Sequence, residues 1–215
     1  TSPQDLATGV LADVGRWEEE QASRPTDGSL VAVAKWQPCI ASALQPALHF
    51  SGRERELDAL RAWWADPASP DRVIALIAIG GTGKTAIAEQ FVQHVKQEAR
   101  AGGLAAGLFV WSFYETPEVD RFLDAACEYF GAAPSKEGDR GGAFERLKGA
   151  LRAGPAHTFV LDGLERVQGD GEGHRTRGEI TDPTLKQFVR LLASGDLGRT
   201  RVLVTTRIPM ADLAP

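Results

Sequence analysis

The chain has 215 residues, 43% of them hydrophobic and 25% charged, enough apolar surface for one full core. Its formal net charge of -5 argues against a dedicated nucleic-acid-binding domain, and no direct nucleic-acid contact is expected. No run approaches the roughly 18 apolar residues of a membrane span, and the opening TSPQDLATGV lacks the basic and hydrophobic parts of a signal peptide, so a cytoplasmic protein is expected. The opening residue is not Met, which points to a piece of a longer chain. Cys39 and Cys127 lie far apart among apolar neighbours and read as reduced thiols. His49, His94, His157 and His174 show no ligand spacing, so no zinc site is expected.

Residues 5–22 place Leu6, Val10, Leu11, Val14 and Trp17 at helical spacing and predict an amphipathic helix. SRPTDGS breaks the chain. Residues 30–48 are apolar but interrupted by Pro38 and Pro46, which predicts short helical pieces. SGRERELDALRAWW predicts a helix with Leu57, Leu60, Trp63 and Trp64 on one side, ended by DPASPD. From there strands alternate with helices. RVIALIAI, with seven consecutive apolar residues, suits a central parallel strand covered on both faces. TAIAEQFVQHVKQEA predicts the next helix and AGLFVWSFYE the second strand, followed by helices at 117–130 and 143–152. HTFVLD is a third strand and GDGEGHRTRGE a polar loop. Asp182 and Pro183 supply an N-cap and first helical position for DPTLKQFVRLLA, and RVLVTT is a fourth strand. The alternation predicts an α/β fold of three layers, helix, sheet and helix, with a mostly parallel sheet, preceded by an N-terminal helical segment.

Between the first strand and its helix lies AIGGTGKT. Gly80, Gly81 and Gly83 allow backbone turns and close approach that a Cβ would obstruct. The free N–H groups and positive dipole end of the following helix favour phosphate. Lys84 reaches the β- and γ-phosphates, and the Thr85 hydroxyl serves Mg²⁺. The usual pattern, G-x-x-x-x-G-K-[ST], has Ala78 here in place of its first glycine. The metal needs a second acidic element, and TFVLDGLE provides Asp162 at a strand end. Asp162 alone would read as a turn residue before Gly163; beside the phosphate loop, the metal reading is preferred. Glu165 either orients or deprotonates the attacking water, or is a solvated carboxylate at a helix start. In RVLVTTRIP, Thr205, Thr206 and Arg207 are expected to face the same crevice. Arg207 reads equally as a strand-end surface arginine or as a fork-like partner for a γ-phosphate.

Four motifs in this order resemble the STAND class of signal-transducing P-loop ATPases, which includes NB-ARC and NACHT domains. HFSGREREL resembles the motif these proteins carry before their first core strand, GGTGKTAIA their Walker A, FVLDGLE their Walker B and VLVTTR their sensor strand. LFVWSFYE also fits the second strand of bacterial members. The resemblance covers about residues 48–213. It implies that Phe50, Gly52 and Arg53 lie near adenine and ribose. It implies that Gly80, Gly81, Thr82, Gly83, Lys84 and Thr85, with Ala86 beside them, wrap the phosphates of ATP or ADP. Thr85 and Asp162 would serve Mg²⁺ and Arg207 the γ-phosphate. Lys84, Asp162, Glu165 and Arg207 make up the implied catalytic set. Ala78 and Gly163, where NB-ARC members often have a second Asp, depart from the pattern; the Asp162 to Glu165 spacing looks more like NACHT members. The class is adopted and the subfamily left open.

The resemblance also implies a helical domain and a winged helix beyond MADLAP, residues 1–47 as a helical linker segment, and 48–215 as the nucleotide-binding domain. It implies a homo-oligomer in the full-length active state and a monomer for this piece. The expected function is an ATP/ADP switch coupled to oligomerisation and effector activation, in bacterial defence or regulation. A small-molecule kinase, with GDGEGHRTRGE as its lid, and a non-hydrolysing nucleotide-bound scaffold are the alternatives.

Overall fold

A computed structural model describes residues 37–44, 50–100, 107–131, 139–172 and 176–213, all within one compact unit. The helix expected over 5–22, His49, His174 and the middle of the polar loop lie outside the described residues.

Five parallel strands form one sheet: β1 (Gln37–Ile40), β2 (Val73–Ile77), β3 (Gly107–Ser112), β4 (His157–Asp162) and β5 (Arg201–Thr206), in the order β1-β3-β4-β5-β2. The expected three-layer fold is the one observed. One face carries Phe109, Trp111, Phe159, Leu161, Val202 and Val204. It is covered by α3 (Val119–Tyr129), α4 (Arg140–Ala153) and α5 (Pro183–Ala193). Phe109, Phe122, Phe159 and Phe188 meet there with ring centroids 5.2–6.1 Å apart. The other face carries Leu108, Val110, Val160 and Leu203 under α1 (Glu54–Ala65) and α2 (Lys84–Arg100). Successive strand residues point to opposite faces, so the alternate residues of FVLD and RVLVTT fill both layers.

Two expectations are corrected. Residues 37–40 form a strand rather than helical turns, pairing in register with 107–110 of β3. Pro38 is tolerated because an edge strand needs only half of its N–H groups for a ladder. The Ser42 N–H then donates to the Val110 carbonyl at 3.2 Å and extends the pairing. β2 is not central either: among the described residues it is the strand at the far edge, with Ile77 46% exposed. Its apolar run serves both faces, Val73 and Ala75 on one and Ile74 and Leu76 on the other.

Helix ends follow local chemistry. The Asp182 carboxylate accepts from the N–H groups of Thr184 and Leu185, with Pro183 in the first turn, as expected. Asp139 caps α4 through the Gly142 N–H, so that helix opens at Arg140, earlier than the apolar pattern predicts. At the C-terminal end of α1, Arg201 donates to the carbonyls of Trp63 and Asp66, and Trp64 Nε1 donates to Thr158 Oγ1 at 2.9 Å. These bonds tie the helix to β4 and β5.

Candidate functional site

The glycine loop joins β2 to α2. Gly81 and Gly83 have φ of 78° and 86°, a region that strains any residue with a Cβ. Ala78 needs no such freedom: no non-glycine residue described here has positive φ, and its N–H continues the ladder to the Thr206 carbonyl at 3.3 Å. The missing first glycine is therefore not required by this backbone. Lys84 is 9% exposed, and its Nζ donates to the carbonyls of Ala78 and Ile79 at 2.7 and 3.0 Å, spanning the loop from inside.

A cleft of about 470 Å³ opens over the loop, lined by Gly80, Gly81, Gly83, Lys84, Thr85, Ala86, Tyr114 and Arg207. That is the range of small-molecule and cofactor sites. It lies at the C-terminal ends of the strands, where open parallel sheets bind ligands. A second cavity, of about 50 Å³, lies at the opposite strand ends among Trp64, Arg72, His157 and Arg201, too small for such a ligand.

Beneath the cleft, Asp162 is 2% exposed, and its Oδ1 accepts from Thr85 Oγ1 at 2.9 Å and Thr205 Oγ1 at 2.6 Å. Thr205 Oγ1 in turn accepts from the Gly163 N–H at 2.9 Å. β5 lies between β4 and β2, and its Thr205 bonds the same carboxylate oxygen that Thr85 of the loop bonds directly. The oxygen set fits a small hard cation: a hydroxyl that donates to Asp162 keeps its lone pairs free, and Mg²⁺ takes one or two carboxylates with phosphate and water oxygens. No group of three or more His, Cys, Asp or Glu side chains that could hold a metal occurs among the described residues.

Arg207 lines the cleft, as expected, but its Nε donates to Glu165 Oε1 at 2.8 Å. Tyr114 Oη donates to the same Oε1, and the guanidinium lies 5.9 Å from the Tyr114 ring centroid. Burial, and then the bond to Glu165, push the Tyr114 phenol pKa up. Tyr114 first and Glu165 after it push that of Arg207 up, holding its charge.

Some expected residues lie elsewhere. Thr206 turns away from the crevice: its hydroxyl donates to Gln168 Oε1 at 2.5 Å on the opposite face from Thr205. Arg53 reaches the loop, donating from Nη2 to the Thr82 carbonyl at 3.0 Å, which joins the GRE segment to the glycine loop. Phe50 packs with the α1–α2 layer, and neither it nor the exposed Gly52 lines the cleft. Tyr114 escaped the sequence reading, which placed it inside a strand. Its signal was an aromatic at the C-terminal end of a parallel strand.

A glycine loop between a parallel strand and a helix, with an acid from another strand bonded to the loop threonine, defines the P-loop NTPase fold. Solved structures with this fold are similar to the chain. Cdc6p from Pyrobaculum aerophilum has TM-score 0.56 and 18% identity, over 77% of this chain and 41% of that one. The Aeropyrum pernix ORC1 protein, solved in complex with DNA, has TM-score 0.53 and 21% identity, over 74% of this chain and 39% of that one. The Aeropyrum pernix ORC2 protein, solved as ADPNP-ADP complexes, has TM-score 0.50 and 17% identity, over 76% and 43%. The chain thus spans about two-fifths of the length of these structures, and at such identity the likeness is one of fold. No family model and no curated protein matches the chain. No described helix is long and apolar enough to cross a membrane.

Proposed function

We propose that this chain carries the nucleotide-binding domain of a STAND-type signalling ATPase. It binds ATP or ADP with Mg²⁺ and couples exchange or hydrolysis to homo-oligomerisation and effector activation, in bacterial defence or regulation in the cytoplasm. Residues 48–215 are the nucleotide-binding part in this reading, and 1–47 are the segment before it, of which 37–40 pair into the sheet as β1. The observation that carries the nucleotide reading is the Thr85–Asp162 hydrogen bond beneath a glycine-loop cleft. It places a hydroxyl and a buried carboxylate together where phosphate oxygens would complete a Mg²⁺ shell. The GRE segment bonded to the loop through Arg53 supports the STAND resemblance over the kinase reading.

The residues divide the work. Lys84 and the loop N–H groups bind phosphate, and Thr85 and Asp162 would hold the cation, which supplies charge neutralisation across the phosphates. Arg207 serves the γ-phosphate, and Glu165 accepts a proton from, or orients, the attacking water.

Calorimetry with ADP and ATP, each with Mg²⁺, tests this. Wild type should bind both, and Lys84→Ala should lose binding of both by about a hundredfold or more, since it removes the cation that spans the loop. Equal affinity in the two proteins would refute the assignment.

A further inference from the structure

Two donors converge on one oxygen of Glu165. Arg207 Nε and Tyr114 Oη both bond Oε1, while Oε2 is buried with no hydrogen-bond partner among the described residues. The Glu165 side chain is only 9% exposed, so a carboxylate stripped of its donors there would be costly. Arg207 also lies against the phosphate loop: a Cβ on Gly80 would sit 3.0 Å from its Cζ. The same guanidinium is thus within a short swing of both Glu165 and the phosphate position, and Nε cannot serve both. Tyr114 is held in turn by a built contact. Gly163 has φ of 75°, and a Cβ there would lie 2.5 Å from the Tyr114 ring.

Resting on the nucleotide reading above, we propose that Tyr114, Glu165 and Arg207 form a latch. Arg207 pairs with Glu165 in one state and with a γ-phosphate in the other, and Tyr114 is the positioning residue that keeps Glu165 in place when Arg207 leaves. The exchange is selective for a triphosphate, because a diphosphate offers Arg207 no third phosphate in its place. Tyr114 lowers the cost of the exchange: with its hydroxyl, Glu165 Oε1 keeps one donor after Arg207 departs. Without it, a buried carboxylate is left with none. The triad therefore couples the presence of a third phosphate to the freeing of Glu165.

A double-mutant cycle on nucleotide selectivity tests this. The affinities for ADP and for the imido analogue of ATP, with Mg²⁺, are measured by calorimetry for wild type, Glu165→Gln and Tyr114→Phe, each with and without Arg207→Ala. Glu165→Gln should raise the triphosphate-to-diphosphate affinity ratio about two- to fivefold, the scale of a half-exposed ion pair, because Arg207 is then released without opposition. Tyr114→Phe, which keeps the ring beneath Arg207, should lower the ratio by a similar factor. Both effects should vanish in the Arg207→Ala background, and retained ADP binding shows that each variant is folded. A rise with Glu165→Gln that persists without Arg207 would mean simple repulsion between carboxylate and phosphate, and would overturn the latch. No change with Tyr114→Phe would overturn the role of Tyr114. Wild type that binds neither nucleotide would overturn the nucleotide reading itself, a result distinct from either.

Discussion

Gly80 and Gly163 both lie where a Cβ would meet the Tyr114–Glu165–Arg207 cluster, yet they should respond differently to alanine. At Gly80 the obstruction is the far end of the flexible Arg207 side chain, and the backbone has no positive φ. Gly80→Ala should therefore leave stability within about 0.5 kcal/mol of wild type while displacing Arg207 and blunting triphosphate preference. At Gly163 the obstruction is the Tyr114 ring, and φ is 75°, so Gly163→Ala should cost about 1–2 kcal/mol from backbone strain alone. Urea unfolding of the two variants side by side checks the contrast, and equal losses would show that neither the positive φ nor the Tyr114 contact constrains position 163. The same backbone logic explains why Ala78 is acceptable while Gly81 and Gly83 are not replaceable without strain.

Elements are joined through a few polar side chains that act at helix ends. Asp182 illustrates this: one carboxylate oxygen caps α5, and the other accepts from Arg140 Nη2 of α4 at 2.5 Å. Arg140 also reaches Asp120 of α3 at 2.8 Å, so three helices over the aromatic layer share one guanidinium. Asp182→Ala should destabilise by about 1–2 kcal/mol, most of it from the lost cap. Asp182→Asn should recover the larger share, since an amide oxygen caps as well while the partly exposed ion pair contributes less. Denaturation midpoints in which Asn is no better than Ala would place the loss in the ion pair instead. Arg201 plays the matching part on the other face, satisfying α1 carbonyls that the helix itself cannot.

For the whole molecule, acid sensitivity should come in part from His157 at the start of β4. Burial against Tyr129 and Phe130 pushes its pKa down, against a smaller upward effect of the Pro155 carbonyl that its Nδ1 contacts at 2.8 Å. A histidine with a lowered folded pKa stays neutral in the fold, while the unfolded chain takes up the proton near pH 6.5. The unfolded state then binds more protons, so stability is full above about pH 6.5 and falls as the pH drops below it. His157→Phe should lessen the loss of stability between about pH 6.5 and 5. His94, whose pKa burial also lowers, keeps a residual slope. Thermal unfolding across that range measures the difference, and parallel curves would remove His157 from the account.

Much of the architecture was legible because it rests on local signals. The apolar run of 73–79 announces a strand, GGTGKT announces a turn that only glycine can make, and Asp182-Pro183 announces a helix start. These depend on neighbours in the chain. Pairing partners do not, and there the tertiary structure decided. Residues 37–40 read as broken helix around Pro38, and only the open edge of β3 makes them a strand. β2 reads as central from its composition, but its place in the described sheet is set by which strand pairs with it, and β5 alone does. Adjacent threonines look alike in RVLVTT, yet the alternation of a strand sends Thr205 to Asp162 and Thr206 to Gln168. Tyr114 and Glu165 are 51 residues apart, and no local pattern joins them. The chemistry of the candidate site could be read along the chain, whereas the partners of its side chains follow from strand order, a long-range property that local sequence does not carry.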